Sequence, residues 1–206
     1  VRRFYSVAKA CGCKFYFGTD AHRPEDFEGQ KAAAEELVDL IGSMYPTSEN
    51  LQEVLDLPSE NRPVILTEYC HAMGNSLGDI AEYTEAFFRH DRLIGGCIWE
   101  WADHVVTVDG VQRYGGDFPG ELTHDGNFCC DGLVFADRTL KAGSLEAKAA
   151  FQPMRTRFED GSLKVYNRLD FTDLAEYEFT WGIEVDGVRQ QEAQLRLAAA
   201  PHTEAS

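Results

Sequence analysis

Two short apolar segments on either side of an amphipathic segment constrain the fold of this chain most strongly. Residues 63–67 and 93–98 are compact apolar runs without strict polar alternation. Between them, residues 79–90 carry Ile80, Tyr83 and other apolar side chains at helical spacing. Strand, helix and strand in this order form a βαβ unit, and non-alternating strands are typical of a parallel sheet covered on both faces. The sequence therefore predicts an α/β fold.

The N-terminal segment, residues 1–42, predicts a helix, a short aromatic strand at 14–17, and a second helix. Pro24 begins this second helix, and its apolar positions continue at helical spacing to Ile41, with Gly42 ending it.

The C-terminal segment changes to the period of two that is typical of strands. Residues 155–167 surround Asp160-Gly161, and residues 176–197 surround Asp186-Gly187, both of which are hairpin signals. This pattern predicts the start of an antiparallel β-sandwich. We therefore expect three segments and a chain that is a piece of something longer, with boundaries at 1–42, 43–150 and 151–206.

The charge balance limits the partners that the chain attracts. There are 19 Lys and Arg residues against 35 Asp and Glu residues, which gives a net charge of −16. Such a surface disfavours nucleic acid and anionic membranes. No apolar run approaches the roughly 18 residues of a membrane span. We expect no nucleic-acid partner, no membrane association and a cytoplasmic location.

Six cysteines are too few for a disulfide scaffold, so we expect reduced thiols. Neither Cys11-Gly12-Cys13 nor the adjacent pair Cys129-Cys130 has the spacing of a structural zinc site. In an extended chain, neighbouring side chains also point to opposite faces.

Glu68 follows a buried strand directly, where an unpaired carboxylate is costly. A structural ion pair is one explanation, but no Lys or Arg lies between Glu68 and Arg89, which favours a functional role. His71 either shares the same pocket or is a satisfied loop histidine. Trp99 follows the next strand, where its indole either stacks on a sugar or packs in the core.

Asp20 and His22 lie between the aromatic strand and the following helix, where α/β enzymes place their sites. They either form a turn or bind one metal ion. Residues 14–22, with the Ala-rich segment behind them, resemble the C-terminal end of PHP-type metallohydrolases. That resemblance implies metal binding by Asp20 and His22, although the other ligands of that family come from far upstream.

Four motifs in order indicate a second family. They are Val64-Ile-Leu-Thr-Glu-Tyr-Cys-His-Ala-Met-Gly-Asn-Ser-Leu-Gly78, Gly95-Gly-Cys-Ile-Trp-Glu-Trp101, Tyr114-Gly-Gly-Asp-Phe118 and Asn127-Phe-Cys-Cys-Asp-Gly-Leu-Val-Phe-Ala-Asp-Arg-Thr139. Residues from about 43 to 206 resemble the lac-type beta-galactosidases of glycoside hydrolase family 2. The resemblance implies the last strands of a (β/α)8 TIM barrel, followed by a β-sandwich. A whole barrel takes about 250 residues, and only two of its eight strands are recognisable here.

The resemblance also implies roles for individual residues. Glu68 corresponds to the nucleophile that forms a covalent galactosyl-enzyme from substrates such as lactose, and Tyr45 to the tyrosine that hydrogen-bonds it. His71 corresponds to a histidine that binds sugar hydroxyls, and Trp99 to the aromatic floor under galactose. Asp131, where the family often has Asn, adjoins the sugar.

Metal ions and partners follow from the same resemblance. The carbonyl oxygen of Phe128 and the side chain of Asp131 correspond to a sodium site, and magnesium is expected at ligands outside this chain. The family's acid/base is a Glu that follows Asn, and no Asn-Glu pair occurs here. We therefore expect a fragment that needs the rest of the barrel or a homo-oligomer. A non-catalytic galactose-binding or complementing fragment, and a remnant of a PHP metal-dependent phosphoesterase, are the alternatives.

Overall fold

A computed structural model of the chain describes residues 39–56, 61–75, 77–124 and 126–206, and the backbone of residues 16–17. The chain divides into two compact units, Val1–Ala150 and Phe151–Ser206. Among the helices in these ranges, none has the length and apolar character needed to cross a bilayer.

The first unit contains a four-stranded parallel sheet in which consecutive strands are neighbours. Its strands are β1 (Tyr16–Phe17), β2 (Leu40–Met44), β3 (Val64–Tyr69) and β4 (Leu93–Ile98). Its helices are α1 (Ser48–Leu55), α2 (Ile80–Arg89) and α3 (Ala142–Ala150). A small hairpin is formed by β5 (Val106–Val108) and β6 (Val111–Arg113). The predicted βαβ unit is confirmed as β3, α2 and β4, and the described strands form an open sheet.

The prediction of a helix that continues through Ile41 to Gly42 is wrong at its end. Residues Leu40–Met44 form β2, which pairs with β1 on one side and with β3 on the other. Because β2 lies between two strands, its backbone donors and acceptors find partners on both sides, which outweighs local helical spacing. β1 lies within the aromatic strand predicted at 14–17, so β2 is the one strand of this sheet that the sequence did not predict.

The core of the first unit lies between the sheet and its helices. Val64 and Leu66 of β3 have no exposed surface. Tyr69 at the end of β3 contacts Tyr83 and Phe87 of α2 edge-on, with ring centroids 5.3 and 5.5 Å apart. Aromatic rings favour this edge-to-face geometry, because the edge of one ring is positive and the face of the other is negative. The carboxyl end of β3 is thus anchored on α2.

Gly96 of β4 lies where β3 approaches most closely. A Cβ atom at this position would lie 2.7 Å from the Cβ of Leu66 and 2.9 Å from the Cδ1 of Tyr69. Both distances are below van der Waals contact, so the spacing of β3 and β4 requires glycine.

The second unit is antiparallel throughout its described pairings. Its strands are β7 (Met154–Glu159), β8 (Ser162–Asn167), β9 (Phe179–Val185), β10 (Val188–Leu195) and β11 (Glu204–Ala205). The hairpins predicted at Asp160-Gly161 and Asp186-Gly187 are confirmed as β7–β8 and β9–β10. The expected sandwich stays a prediction, because the strands form one three-stranded sheet and one two-stranded sheet.

We expect Gly96→Ala to lower the free energy of unfolding by about 1–3 kcal/mol, because the added methyl group overpacks the contact between β3 and β4. Urea titration followed by circular dichroism measures this change. Gly78→Ala is the matched control, since no atom lies within 4 Å of a Cβ at that position. We expect it to shift stability by less than about 0.5 kcal/mol. Equal losses in both variants would contradict the packing argument.

Candidate active site

The carboxyl ends of β2, β3 and β4 meet at one edge of the parallel sheet. The backbone N–H of Tyr45 donates to the carbonyl of Glu68 at 2.9 Å. The N–H of Trp99 donates to the carbonyl of Tyr69 at 3.2 Å, and the N–H of Ala72 donates to the carbonyl of Trp99 at 2.7 Å. Since such edges carry the sites of α/β enzymes, these residues form the base of a candidate site.

Glu68 lies in an irregular part of β3. Pairing with β2 shifts register between Ser43 and Met44, and pairing with β4 shifts between Leu66 and Tyr69. Irregular pairing of this kind is frequent next to active sites, because it redirects a side chain. Leu66 and Tyr69 both enter the core, while Glu68 stays half-buried outside it.

The Tyr45 hydroxyl lies in the electrostatic field of the Glu68 carboxylate. Burial raises the pKa of Tyr45, and Glu68 raises it further, followed by Asp131. The hydroxyl is buried without an aligned hydrogen-bond partner among the described residues. It therefore stays protonated at neutral pH and is available as a donor. In the described part of the chain, no Lys, Arg or His forms an ion pair with Glu68.

Asp131 fixes the indole of Trp99. Its side chain is only 6% exposed, and its Oδ2 accepts a hydrogen bond from Trp99 Nε1 at 2.9 Å. The same oxygen lies 3.8 Å from His71 Nε2. Its Oδ1 is buried and has no hydrogen-bond partner in the described residues. Trp99 itself is 38% exposed, so one end of its ring is held while part of its surface stays accessible.

The ring of His71 lies near the rings of both Tyr45 and Phe128. Its ring centroid lies 5.9 Å from that of Tyr45 and 5.8 Å from that of Phe128. The structure therefore brings together the six residues that the galactosidase resemblance singled out: Tyr45, Glu68, His71, Trp99, Phe128 and Asp131. The two others, Asp20 and His22, lie outside the described residues.

Glu100 is a third carboxylate of this site, beside Glu68 and Asp131, and the sequence motifs alone did not single it out. Burial raises the pKa of Glu100 and Asp131 raises it further, while His104, 3.1 Å away, lowers it. Glu100 follows β4 as closely as Glu68 follows the apolar core of β3. An unpaired carboxylate is costly at either strand end, so the position of Glu100 in the sequence could have indicated it.

A buried ion pair supports the loop that carries Asp131. Asp103 accepts hydrogen bonds from the N–H of Gly132 at 2.9 Å and from Lys141 Nζ at 2.5 Å. Lys141 also donates to the carbonyl of Cys130 at 3.3 Å. The backbone on both sides of Asp131 is therefore held by one charge pair, whose side chains are 6% and 12% exposed.

A parallel sheet with helical connections and a group of carboxylates, histidine and tryptophan at its carboxyl edge is typical of barrel glycoside hydrolases. Residues 11–156 match the family model "Glycosyl hydrolases family 2, TIM barrel domain", and residues 163–206 match "Beta-galactosidase, domain 4". The first match covers more than half of the chain, which therefore belongs to glycosyl hydrolase family 2.

Several curated proteins named beta-galactosidase are similar to this chain. The one from Actinobacillus pleuropneumoniae is 40% identical over 168 residues, which are 81% of this chain and 16% of that protein. The one from Staphylococcus xylosus is 44% identical over 149 residues, 69% of this chain and 15% of that protein. The one from Aeromonas hydrophila is 39% identical over 201 residues, 88% of this chain and 19% of that protein. The chain thus spans less than a fifth of the length of these relatives.

The family match begins inside the segment 1–42 that resembles PHP-type metallohydrolases. Apart from the pairing of Tyr16–Phe17 with β2, the described residues reach only the end of this segment. The PHP-like interpretation and its metal site stay predictions.

We expect Asp131→Asn to lower the pKa of Glu100, because it removes a negative charge next to a carboxyl group. The opposite shift is expected for His104→Gln, which removes a group that lowers the pKa of Glu100. A pH titration of the Glu100 carboxyl carbon by NMR measures both. Shifts in the same direction would contradict this account.

We expect Lys141→Met to lower the free energy of unfolding by about 3–5 kcal/mol, because it leaves the buried Asp103 carboxylate unpaired. Lys148→Met is the matched control, since Lys148 is exposed on α3, and we expect a change within about 0.5 kcal/mol. Urea titration measures both variants, and the double variant Lys141→Met/Asp103→Asn should regain part of the loss. No difference between the two lysine variants would refute the role of the pair.

Proposed function

We propose that this chain carries the nucleophile side of the active site of a retaining β-galactosidase, with Glu68 as the nucleophile. The arrangement around Glu68 supports this most directly. A half-buried carboxylate without an ion-pair partner in the described residues lies beside the protonated Tyr45 hydroxyl, at the strand edge that also holds Trp99. The names of the relatives favour terminal β-D-galactosides, lactose among them, as substrates.

In the proposed reaction, a carboxylate oxygen of Glu68 attacks the anomeric carbon while the bond to the leaving oxygen breaks. Water then hydrolyses the galactosyl ester, and two displacements retain the configuration. The acid/base carboxyl group that this mechanism needs lies about 5–5.5 Å from the nucleophile in retaining enzymes. The Tyr45 hydroxyl donates to Glu68 as the ester breaks and the carboxylate is restored.

The proposed sugar contacts come from the residues around Glu68. The Trp99 ring, fixed by Asp131, offers its face to the apolar C–H side of galactose. The His71 side chain is 29% exposed, and we propose that its ring nitrogens bind sugar hydroxyl groups.

We propose that the acid/base and the magnesium ligands belong to parts of the full-length protein outside this sequence. The sequence contains no Asn-Glu pair, and the matched residues cover only 15–19% of these relatives. The rest of the barrel, or further copies of the chain, would then complete the site. The cytoplasmic location stays a prediction.

A sodium ion fits the buried, unpartnered Oδ1 of Asp131, with the carbonyl oxygen of Phe128 as a second ligand. Such an ion would supply positive charge next to the sugar hydroxyls. Among the described residues there is no cluster of three His, Cys, Asp or Glu side chains suited to a metal ion.

Labelling with 2,4-dinitrophenyl 2-deoxy-2-fluoro-β-galactoside tests the nucleophile separately from the acid. Its leaving group needs no protonation, so we expect a covalent adduct on Glu68, located by peptide mass spectrometry. Glu68→Gln should lose the adduct, whereas Glu82→Gln, a variant at an exposed carboxylate on α2, should keep it. In the full-length protein we expect Glu68→Gln to lower kcat by about 10⁴-fold or more.

Labelling, together with galactose-binding and phosphatase assays, distinguishes the alternatives. An adduct on another residue would refute the proposal. Galactose binding without any adduct would favour a non-catalytic, complementing role, and chelator-sensitive phosphatase activity lost in His22→Ala would favour the PHP-like interpretation.

A further inference from the structure

We propose that Asp109-Gly110, at the tip of the β5–β6 hairpin, is a site of isoaspartate formation, a covalent modification of the main chain. This modification is independent of the proposed galactosidase reaction. The sequence contains five Asp-Gly pairs, which begin at Asp109, Asp125, Asp131, Asp160 and Asp186. The surroundings of the glycine N–H decide which of them reacts.

The reaction joins the aspartate side chain to the backbone. The amide nitrogen of the glycine attacks Cγ of the carboxylic acid, the N–H proton and the hydroxyl group leave as water, and a succinimide ring closes. Water then opens the ring. Opening at the side-chain carbonyl restores aspartate, whereas opening at the main-chain carbonyl gives isoaspartate, in which the main chain runs through the side-chain methylene. Water is the only co-reactant. Glycine favours the attack, because it has no Cβ and adopts many backbone conformations.

Both reacting residues are exposed at a two-residue turn. Val108 pairs with Val111, and the φ angles of Asp109 and Gly110 are 52° and 76°. Positive values at both positions are typical of a type I′ hairpin turn. In the part of the chain that the structure describes, the N–H of Gly110 donates no hydrogen bond. No atom lies within 4 Å of a Cβ placed on Gly110, so the attacking nitrogen lies in open space.

The β5–β6 hairpin is weakly held. Each strand has three residues, and all of them are exposed except Arg113, which is half-buried. Among the described residues, its side chains belong to neither hydrophobic core, and its strands pair only with each other. The hydrogen bond from Arg113 to the carbonyl of Asp117 lies at the end away from the turn. Because an isolated two-stranded hairpin is marginally stable in water, this turn opens readily to the conformations that ring closure needs.

Two other pairs have a glycine N–H that is already engaged. The N–H of Gly132 donates to Asp103 Oδ1 at 2.9 Å, and the N–H of Gly126 donates to His124 Nδ1 at 2.9 Å. Asp131, which precedes Gly132, is also buried. A nitrogen in such a bond must lose its partner before it attacks, so we expect these pairs to react slowly in the native chain.

Asp186-Gly187 is a matched comparison for Asp109-Gly110, because both pairs lie within the same four residues, Val-Asp-Gly-Val. The two turns also share their form, since the φ angles of Asp186 and Gly187 are 50° and 77°. The strands β9 and β10, however, form seven cross-strand pairs, against three in the β5–β6 hairpin. Each such pair adds stability, so we expect Asp109 to react about fourfold faster than Asp186, or more.

The product changes the local structure without changing the mass of the chain. Isoaspartate adds one methylene group to the main chain of the turn. Because a two-residue turn fixes the register of its hairpin, we expect the longer main chain to disrupt the pairing of Val108 with Val111.

The proposal is tested by ageing the full chain in mildly acidic buffer, with and without guanidinium chloride. Electron-transfer mass spectrometry of its peptides then locates isoaspartate. The rate in denaturant is the intrinsic rate of each pair, and the ratio of the native rate to this rate measures protection by the fold. We expect the ratio at Asp109 to exceed that at Asp186 about fourfold or more. It should exceed the ratio at Asp131 about tenfold or more, because a hydrogen bond must break there.

Asp109→Glu should abolish the product at this position and leave the rate at Asp186 unchanged, since the longer side chain would have to close a six-membered ring, which forms slowly. Asp186→Glu is the matched control, and circular dichroism shows whether each variant is folded. Absence of isoaspartate at Asp109 in the native chain would overturn the proposal. Equal ratios at Asp109 and Asp186, or at Asp109 and Asp131, would overturn it as well.

Discussion

The parallel pairing of β2, β3 and β4 determines where Tyr45, Glu68 and Trp99 of the candidate site lie. A polar or aromatic residue lies at or next to the end of each strand, namely Tyr45, Glu68 and Trp99. These residues meet only because the strands run in one direction and in this register. The backbone bond from Tyr45 to Glu68 and the bonds joining Trp99 to Tyr69 and Ala72 fix the three ends together. A slip of one residue would turn the Glu68 side chain to the other face of the sheet. The chemistry of the site therefore depends on backbone geometry before it depends on any side-chain contact.

Buried negative charge is the second constraint on the site. One carboxylate oxygen of Asp131 accepts a hydrogen bond from the Trp99 indole, and the other has no partner in the described residues. The negative charge of Asp131 also raises the pKa of the nearby Glu100. Carboxylates in such surroundings are costly unless they are compensated. Asp103 and Lys141 pair with each other and hold the backbone on both sides of Asp131. They do not compensate the charge of the Asp131 carboxylate. The remaining negative field is a reason to expect a cation or a hydroxyl-rich ligand at this position.

The 126–132 loop carries two residues of the candidate site, Phe128 and Asp131. Backbone hydrogen bonds hold this loop, because the N–H groups of Glu100 and His104 donate to the carbonyls of Asp131 and Cys129. Glu100 and His104 belong to the segment that follows β4. Asp131 therefore accepts the hydrogen bond from the Trp99 indole on a constrained backbone.

Elements with local signals are predictable from the amino-acid sequence. The apolar runs of β3 and β4, the helical spacing of α2, and the Asp-Gly turns of the second unit each depend on neighbouring residues, and all were predicted. Glu68 is recognisable for the same reason, because a carboxylate directly after an apolar run is a local signal. Three features emerge only in the folded chain: Leu40–Met44 is a strand, Glu100 lies in the field of Asp131, and Cys129 and Cys130 lie on a turn. These features arise from partners distant in sequence, or from a turn without glycine or proline at its centre, and local periodicity carries no information about either.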